Sequence, residues 1–334
     1  MRVLFLGGTG PIGLAACRQA ISRGYKVTVA HTGQHEPPND VAVEHIHADR
    51  ELLLAADGPI ARVRPDAIVD TRTTASSAKA LLDCARRAGT GRLVVVSSTD
   101  VYDYFVVGSG HEKAGGRAVL PAQTLPITED APLREAPYPW ATPGHDNAAM
   151  ERALAGSRLD ESIAVLRPGM IYGPGAAGRE WTLVSRIRAG IRRLELPDGG
   201  AQFFARAAVE RVGRAVIAAI EKAPVGWWPV NVVDPYGWTY AGLAGEIARV
   251  LDWKWEPVVV PWEAAAHPFK IQSPYFCSDR RLREVLGVTE PDPAAALVDT
   301  VAWLWKHGAE HYPDQFEKSE ATHRGPESTR QPKK

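Results

Sequence analysis

Val3-Leu4-Phe5-Leu6-Gly7-Gly8-Thr9-Gly10-Pro11-Ile12-Gly13 is the stretch whose reading decides the fold. Four apolar residues in a row are too few for a helix and predict a strand buried on both faces. Glycines follow at once, spaced G-x-x-G-x-x-G at Gly7, Gly10 and Gly13. Leu14 to Ile21 then reads as a helix. Strand, tight turn and helix in this order let backbone N–H groups approach a pyrophosphate, with the helix N-terminus adding partial positive charge. Gly13 lets the helix pack close to the strand. The pattern predicts a dinucleotide site whose loop residues are Gly7, Thr9, Gly10, Pro11, Ile12 and Gly13. A glycine-rich turn that binds nothing is the competing reading.

Outward from this stretch, strands and helices alternate. Val27–Ala30 is strand two, Val43–His47 strand three, Pro65–Asp70 strand four, Arg92–Val96 strand five and Ile163–Leu166 strand six. Helices are expected over Ala75–Ala88 and Gly144–Ala155, the second with Pro143 in its first turn. Alternation of this kind means an α/β fold, a doubly wound parallel sheet with right-handed crossovers. The residues after strand two face the adenosine ribose in such folds, where an acid selects NAD and an arginine NADP. Here they are His31, Thr32, Gly33 and Gln34, which leaves the choice between NAD and NADP undecided. Asp49 and Arg50 follow strand three and join His31 and Thr32 as cofactor candidates.

A long connection rich in Gly, Pro and charge runs from Asp103 to Thr142, and connections of that length are usually functional or mobile. Beyond Gly175 the chain reads as a smaller α+β region over 176–313. It has helices near Thr182–Ile191, Val209–Glu221, Tyr240–Leu251, Asp279–Leu286 and Ala294–Lys306, and short strands at Trp228–Val233 and Glu256–Val260. From Asp314 almost no apolar residue remains, which predicts a disordered tail.

Composition narrows the function. The chain has 334 residues with 39 basic and 39 acidic side chains, so no net field draws it to nucleic acid or an anionic membrane. No apolar run reaches membrane-spanning length. The three cysteines, Cys17, Cys84 and Cys277, are isolated and suit a reducing cytoplasmic setting. His267 has no partner at metal-ligand spacing, so no metal is expected. All ten tryptophans lie at or after Trp140. They read mostly as packing of the smaller region, with an aromatic substrate pocket as the alternative. A small-molecule substrate is the expected partner, and a homodimer stays open.

Four motifs together resemble the extended short-chain dehydrogenase/reductase family, in its NAD-dependent epimerase/dehydratase branch. They are Gly7-x-x-Gly10-x-x-Gly13, Ser97-Ser98-x-x-Val101-Tyr102, Ile127-Thr128-Glu129-Asp130-Ala131-Pro132, and Arg167-Pro168-x-x-x-Tyr172-Gly173-Pro174-Gly175. The resemblance implies a Rossmann domain over residues 1–175 that binds NAD or NADP, and a C-terminal region that closes over a sugar-like or polyhydroxylated substrate. It implies that Ser98 hydrogen-bonds the reacting oxygen and that Arg167 shapes the turn beside the nicotinamide. Catalysis in the family uses a Tyr-x-x-x-Lys pair, with a glutamate four residues after the lysine. Glu151 fits that glutamate, which places Asn147 where the lysine belongs and Pro143 where the tyrosine belongs. Proline cannot ionise, and asparagine can hydrogen-bond a ribose but carries no charge to depress a neighbour's pKa.

The substitute acid or base is therefore sought nearby. A histidine such as His145 can act as acid or base near neutral pH without help from a lysine, with a solvated surface residue as the competing reading. Tyr138 is the second candidate, with stacking in a proline-rich turn as its alternative. Asp146 reads as a first-turn charge. Two functions stay open at this point. One is an atypical NAD(P)-dependent epimerase, dehydratase or reductase; the other is a catalytically inactive NAD(P)-binding pseudo-enzyme.

Overall fold

The computed structural model describes residues 1–38, 40–108, 124–139, 141–155, 162–262 and 272–313. Trp140, His267 and the tail expected from Asp314 lie outside the described residues. The strands are β1 (Arg2–Leu6), β2 (Lys26–His31), β3 (Glu44–His47), β4 (Ala67–Asp70), β5 (Arg92–Val96), β6 (Ser162–Pro168), β7 (Met170–Tyr172), β8 (Arg193–Pro197), β9 (Arg206–Ala208), β10 (Gly226–Val232) and β11 (Glu256–Val260). Seven of them form one parallel sheet in the order β10-β6-β5-β4-β1-β2-β3. The order reverses at β1. The chain runs outward through β2 and β3, then returns to lay β4 on the other side of β1. The loops after β1 and β4 thus flank the topological switch point, where doubly wound sheets bind ligands.

The alternation of side chains along β1 builds two cores. Val3 and Phe5 pack on one face with α1 (Pro11–Ser22), through Ala16 and Ala20. Leu4 and Leu6 pack on the other face with the helix over Ala78–Ala88. A strand covered on both faces needs apolar residues at every position, which is why β1 reads as a continuous run. Each such Leu, Val or Phe contributes roughly 1.5–3 kcal/mol on full burial. Between β3 and that helix lie α2 (Arg50–Leu54) and α3 (Pro59–Val63); the Ala78–Ala88 helix is α4. After β5 come α5 (Asp103–Gly108) and, following the long connection, α6 (Asn147–Ala155).

The chain divides into two compact units, each discontinuous. Counting described residues only, the first comprises those within 1–171, 202–237 and 270–293; the second those within 172–201, 238–269 and 294–334. This differs from the expected split at residue 175, because 202–237 returns to the sheet. Helix α8 (Val209–Lys222) packs on α1, and β10 pairs with β6 to become the sheet edge. The strand expected at Trp228–Val233 in the smaller region is this β10. Pro229 lies within it, as an edge strand permits.

The second unit carries α7 (Gly178–Arg188), α9 (Tyr240–Val250) and nearly all of α11 (Pro293–His311); α10 (Arg280–Glu284) belongs to the first. In the second unit, β8 and β11 form a parallel pair and α7 lies against α9. Trp181 of α7 is fully buried beneath α11, where Gly308 leaves its ring room. Tryptophan here serves packing, as the sequence predicts for most of its copies. No helix among the described residues is long and apolar enough to cross a membrane.

Candidate active site

Three glycines of the loop after β1 do three different things. Gly7 takes φ +79°, a left-handed turn that L side chains rarely adopt. A Cβ on Gly13 would lie 2.5 Å from Gly8 Cα, so only hydrogen fits between helix and loop. A Cβ on Gly10 would meet nothing within 4 Å, so the space in front of α1 is open. Gly10 is the N-cap, it makes no side-chain cap, and no acidic residue sits in the first turn. Pro11 has no N–H to waste at N1, and the first intrahelical bond runs from Leu14 N–H to Gly10 C=O. The amides of Ile12 and Gly13 thus belong to the helix end that favours an anion. Thr9 lies in the turn between Gly8 and Gly10. On the β4 side, Thr71 Oγ1 donates to Leu6 and Gly7 carbonyls, and the Arg72 stem lies against Gly7.

At the far end of β2, His31 is buried and its Nδ1 accepts from the Gly33 amide at 3.2 Å. Burial lowers its pKa below the ordinary imidazole value, against the opposing charge of Glu36. Thr32 follows it in the loop. Asp49 is the N-cap of α2. Arg50 makes a two-pronged ion pair with the buried Asp70, at 3.2 and 2.5 Å. Its guanidinium is thus held by β4 rather than free to turn to a ribose.

The catalytic candidates converge on a residue the sequence did not single out. Beyond β5, Ser98 caps a short 3₁₀ turn (Thr99–Val101), its Oγ accepting from the Asp100 amide at 3.1 Å. The turn aims the Asp100 carboxylate at three side chains. His145 Nε2 lies 3.1 Å from Oδ2, Asn147 Nδ2 donates to Oδ1 at 3.1 Å, and Tyr138 OH donates to Oδ2 at 3.4 Å. Arg134, 2% exposed, fixes the cluster from behind, donating to the Asp100 carbonyl at 2.9 Å and to Asp146 Oδ1 at 2.7 Å.

Helix α6 starts at Asn147, not near Gly144, and Pro143 is therefore not in its first turn. Gly144 at φ +80° breaks the helical path, and Asp146 is the better cap, its Oδ1 accepting from the Ala149 amide. His145 thus sits just outside the helix, 40% exposed, with one ring nitrogen on Asp100. That hydrogen bond raises the His145 pKa above the usual imidazole value, against partial burial. Burial, followed by the Asp100 charge, pushes the Tyr138 phenol up to about 12. Near neutral pH Tyr138 keeps its proton, and the titrating group of the cluster is His145.

A second polar network lies behind this one. Arg167 pairs with Glu151 at 2.6 Å and donates to Tyr102 OH and the Glu129 carbonyl; Ser97 Oγ donates to Glu151 at 2.6 Å. Tyr102 in turn donates to Asn231, whose amide N–H reaches Glu129. Arg167 is almost wholly buried, and each of its three guanidinium nitrogens has a hydrogen-bond partner. The network ties β5, β6, β10 and the 127–134 segment together and holds the Ser98–Tyr102 turn in place.

The chain matches the NAD dependent epimerase/dehydratase family over residues 3–227 and belongs to it. It is 31% identical over 258 residues to a 3-diazoavenalumate denitrifying reductase of Streptomyces sp, covering 70% of this chain and 77% of that one. It is 26% identical to the 2′-dehydrokanamycin reductase of Streptomyces kanamyceticus, with 80% and 71% covered. In fold it is similar to UDP-glucose 4-epimerase from Bifidobacterium longum in complex with NAD⁺ and UDP. That likeness has a TM-score of 0.67 at 14% identity, over 93% of this chain and 99% of the other.

Proposed function

We propose that the chain is an NAD(P)H-dependent reductase of a carbonyl group on a sugar-like or polyhydroxylated small molecule, with a His145–Asp100 pair in place of tyrosine and lysine. The observation that carries this reading is the convergence of Ser98, Tyr138, His145 and Asn147, from three separate stretches of chain, around Asp100. Reductase, rather than epimerase, is favoured by the names of the relatives above.

The open space at Gly10 and the uncapped end of α1 fit a dinucleotide pyrophosphate. Bound there, the cofactor supplies hydride. This chain's residues supply the rest. Ser98 spends an acceptor on Asp100, which leaves its O–H to donate to a carbonyl oxygen. The His145 imidazolium, held charged by Asp100, delivers the proton that turns the reduced carbonyl oxygen into a hydroxyl. Asp100 keeps the ring oriented, and Tyr138 adds a fixed donor because its proton does not leave near neutral pH. Asn147 braces Asp100.

The test follows consumption of NADH or NADPH against a panel of keto-sugars. His145→Gln keeps a polar side chain but cannot titrate, and it should lower kcat by about 10²–10⁴-fold with cofactor affinity unchanged. Full activity in His145→Gln overturns the assignment of the acid. Tight cofactor binding without turnover of any keto-sugar favours the inactive binding protein.

A further inference from the structure

We infer that Glu36, His45, His47 and His31 form a binding site for a divalent metal ion of the zinc class at the open edge of the sheet. His45 and His47 are two apart on β3 and so share one face of the strand. Parallel pairing with β2 puts His31 in register with His47. Glu36, from the segment joining the two strands, reaches in among the three rings. Its Oε1 lies 3.1 Å from His47 Nε2, and its Oε2 lies 3.5 Å from His45 Nδ1 and 3.6 Å from His31 Nε2. His31 Nε2 and His45 Nδ1 are 3.0 Å apart. All four ligand atoms fall within 4.8 Å of one another. A tetrahedral zinc ion with bonds of about 2.0–2.1 Å sets its ligand atoms roughly 3.3–3.4 Å apart, so the cluster needs only small shifts to close on one.

The donor set decides the class of ligand. Three imidazoles alone would suit a phosphate or a metal. A carboxylate in their midst repels the phosphate and completes the metal site. Nitrogen donors in this number favour zinc, cobalt, nickel or copper over magnesium and calcium, which take oxygen. Three of the chain's ten histidines stand here. The sequence-based expectation of no metal considered His267 and passed over His45-x-His47.

His31 enters on one condition. Its Nδ1 accepts from the Gly33 amide, so the neutral ring carries its proton on Nε2, the atom that faces the cluster. Ligation moves that proton to Nδ1 and turns the Gly33 amide away. His45, His47 and Glu36 are therefore the core of the site, and His31 closes it as the fourth ligand. An ion held this way ties Glu36 to both β2 and β3.

The full chain, free of any affinity tag and stripped with a chelator, is titrated with Co²⁺ by visible absorption and with Zn²⁺ by calorimetry. The expected result is a roughly equimolar end point, the intense visible bands of four-coordinate Co²⁺, and a higher thermal midpoint with Zn²⁺. His45→Ala/His47→Ala should bind at least about 100-fold more weakly with an unchanged circular dichroism spectrum. His31→Ala should lose about tenfold. No saturable binding, or equal affinity in the double variant, overturns the site. Unchanged affinity in His31→Ala overturns its four-ligand form. Competition by millimolar Mg²⁺ overturns the zinc-class assignment.

Discussion

Gly10 and Gly13 stand three residues apart, yet alanine at the two positions should do opposite things. A Cβ on Gly13 lies 2.5 Å from Gly8 Cα and 2.6 Å from the Gly8 carbonyl carbon and oxygen. These are backbone atoms that no rotamer change removes. Ordinary carbon contacts are about 3.5–4.0 Å, so helix and loop must part by about 1 Å. Overpacking of this kind costs about 1–3 kcal/mol, or a thermal midpoint lower by roughly 2–12 °C. At Gly10 the same methyl meets nothing within 4 Å, and the backbone, at φ −81° and ψ 171°, already suits alanine. A weaker N-cap costs about 0.5–1 kcal/mol, and a stiffer unfolded chain returns about 0.4–1 kcal/mol. Gly10→Ala should therefore melt within about 3 °C of the parent protein. It should fail at binding instead, because the methyl stands where the pyrophosphate approaches the helix end. Losing one charge-assisted hydrogen bond, about 1.5–3 kcal/mol, weakens NAD(H) or NADP(H) about 10–100-fold. Thermal scans and calorimetric titration with both cofactors read the two effects separately. A Gly10→Ala variant with undiminished cofactor affinity, or a Gly13→Ala variant with the parent midpoint, refutes the reasoning.

If the proposed reduction runs through His145, its raised pKa should give the rate a limb that is flat at low pH and falls as pH rises through a value above the ordinary imidazole figure of about 6.5. Asp100→Asn should move that limb to lower pH in a pH–rate profile; an unmoved limb refutes the pairing. The same sign governs stability: the pair's contribution is full below the unfolded histidine's pKa and disappears as pH rises through the folded one. Glu151→Ala strands the buried Arg167 guanidinium and should cost about 3–5 kcal/mol in chemical denaturation, with a loss under about 1 kcal/mol counting against the network. Gly308→Ala drives a methyl into the Trp181 ring and should cost about 1–3 kcal/mol while leaving cofactor affinity alone; an unchanged midpoint refutes the packing.

Strands buried on both faces were plain in the sequence because every position must be apolar, as in Leu93–Val96. The same physics hid where β10 belongs. Gly226-Trp227-Trp228-Pro229-Val230-Asn231-Val232 shows a strand, but its partner β6 lies far back in the chain, and pairing across that distance leaves no local trace. The start of α6 was misplaced because proline at N1 is a statistical preference, whereas the Asp146 side chain forms an actual cap. His145 and Tyr138 were legible as ionisable groups beside a vacated position. Asp100, which gathers them, was not, since no spacing rule links residue 100 to 138, 145 and 147. His45 and His47 show their shared face by their spacing of two, but Glu36 and His31 join them only once β2 and β3 are paired.

The late arrival of β10 has a consequence during synthesis. Strand β6 ends at Pro168 and β10 begins at Gly226, so roughly 60 residues separate them, about 3–12 s of translation at 5–20 residues per second. Throughout that interval the nascent sheet ends in β6, an edge whose centre, Ile163–Leu166, is apolar and whose row of backbone groups is free, which is the surface other chains add to. Cellular yield should thus depend on how the ribosome-bound chain is shielded over those seconds more than on the stability of the finished fold. Once β10 docks, the hazard ends in two ways. The edge is covered, and the covering strand carries Pro229, which has no N–H to offer the next arrival.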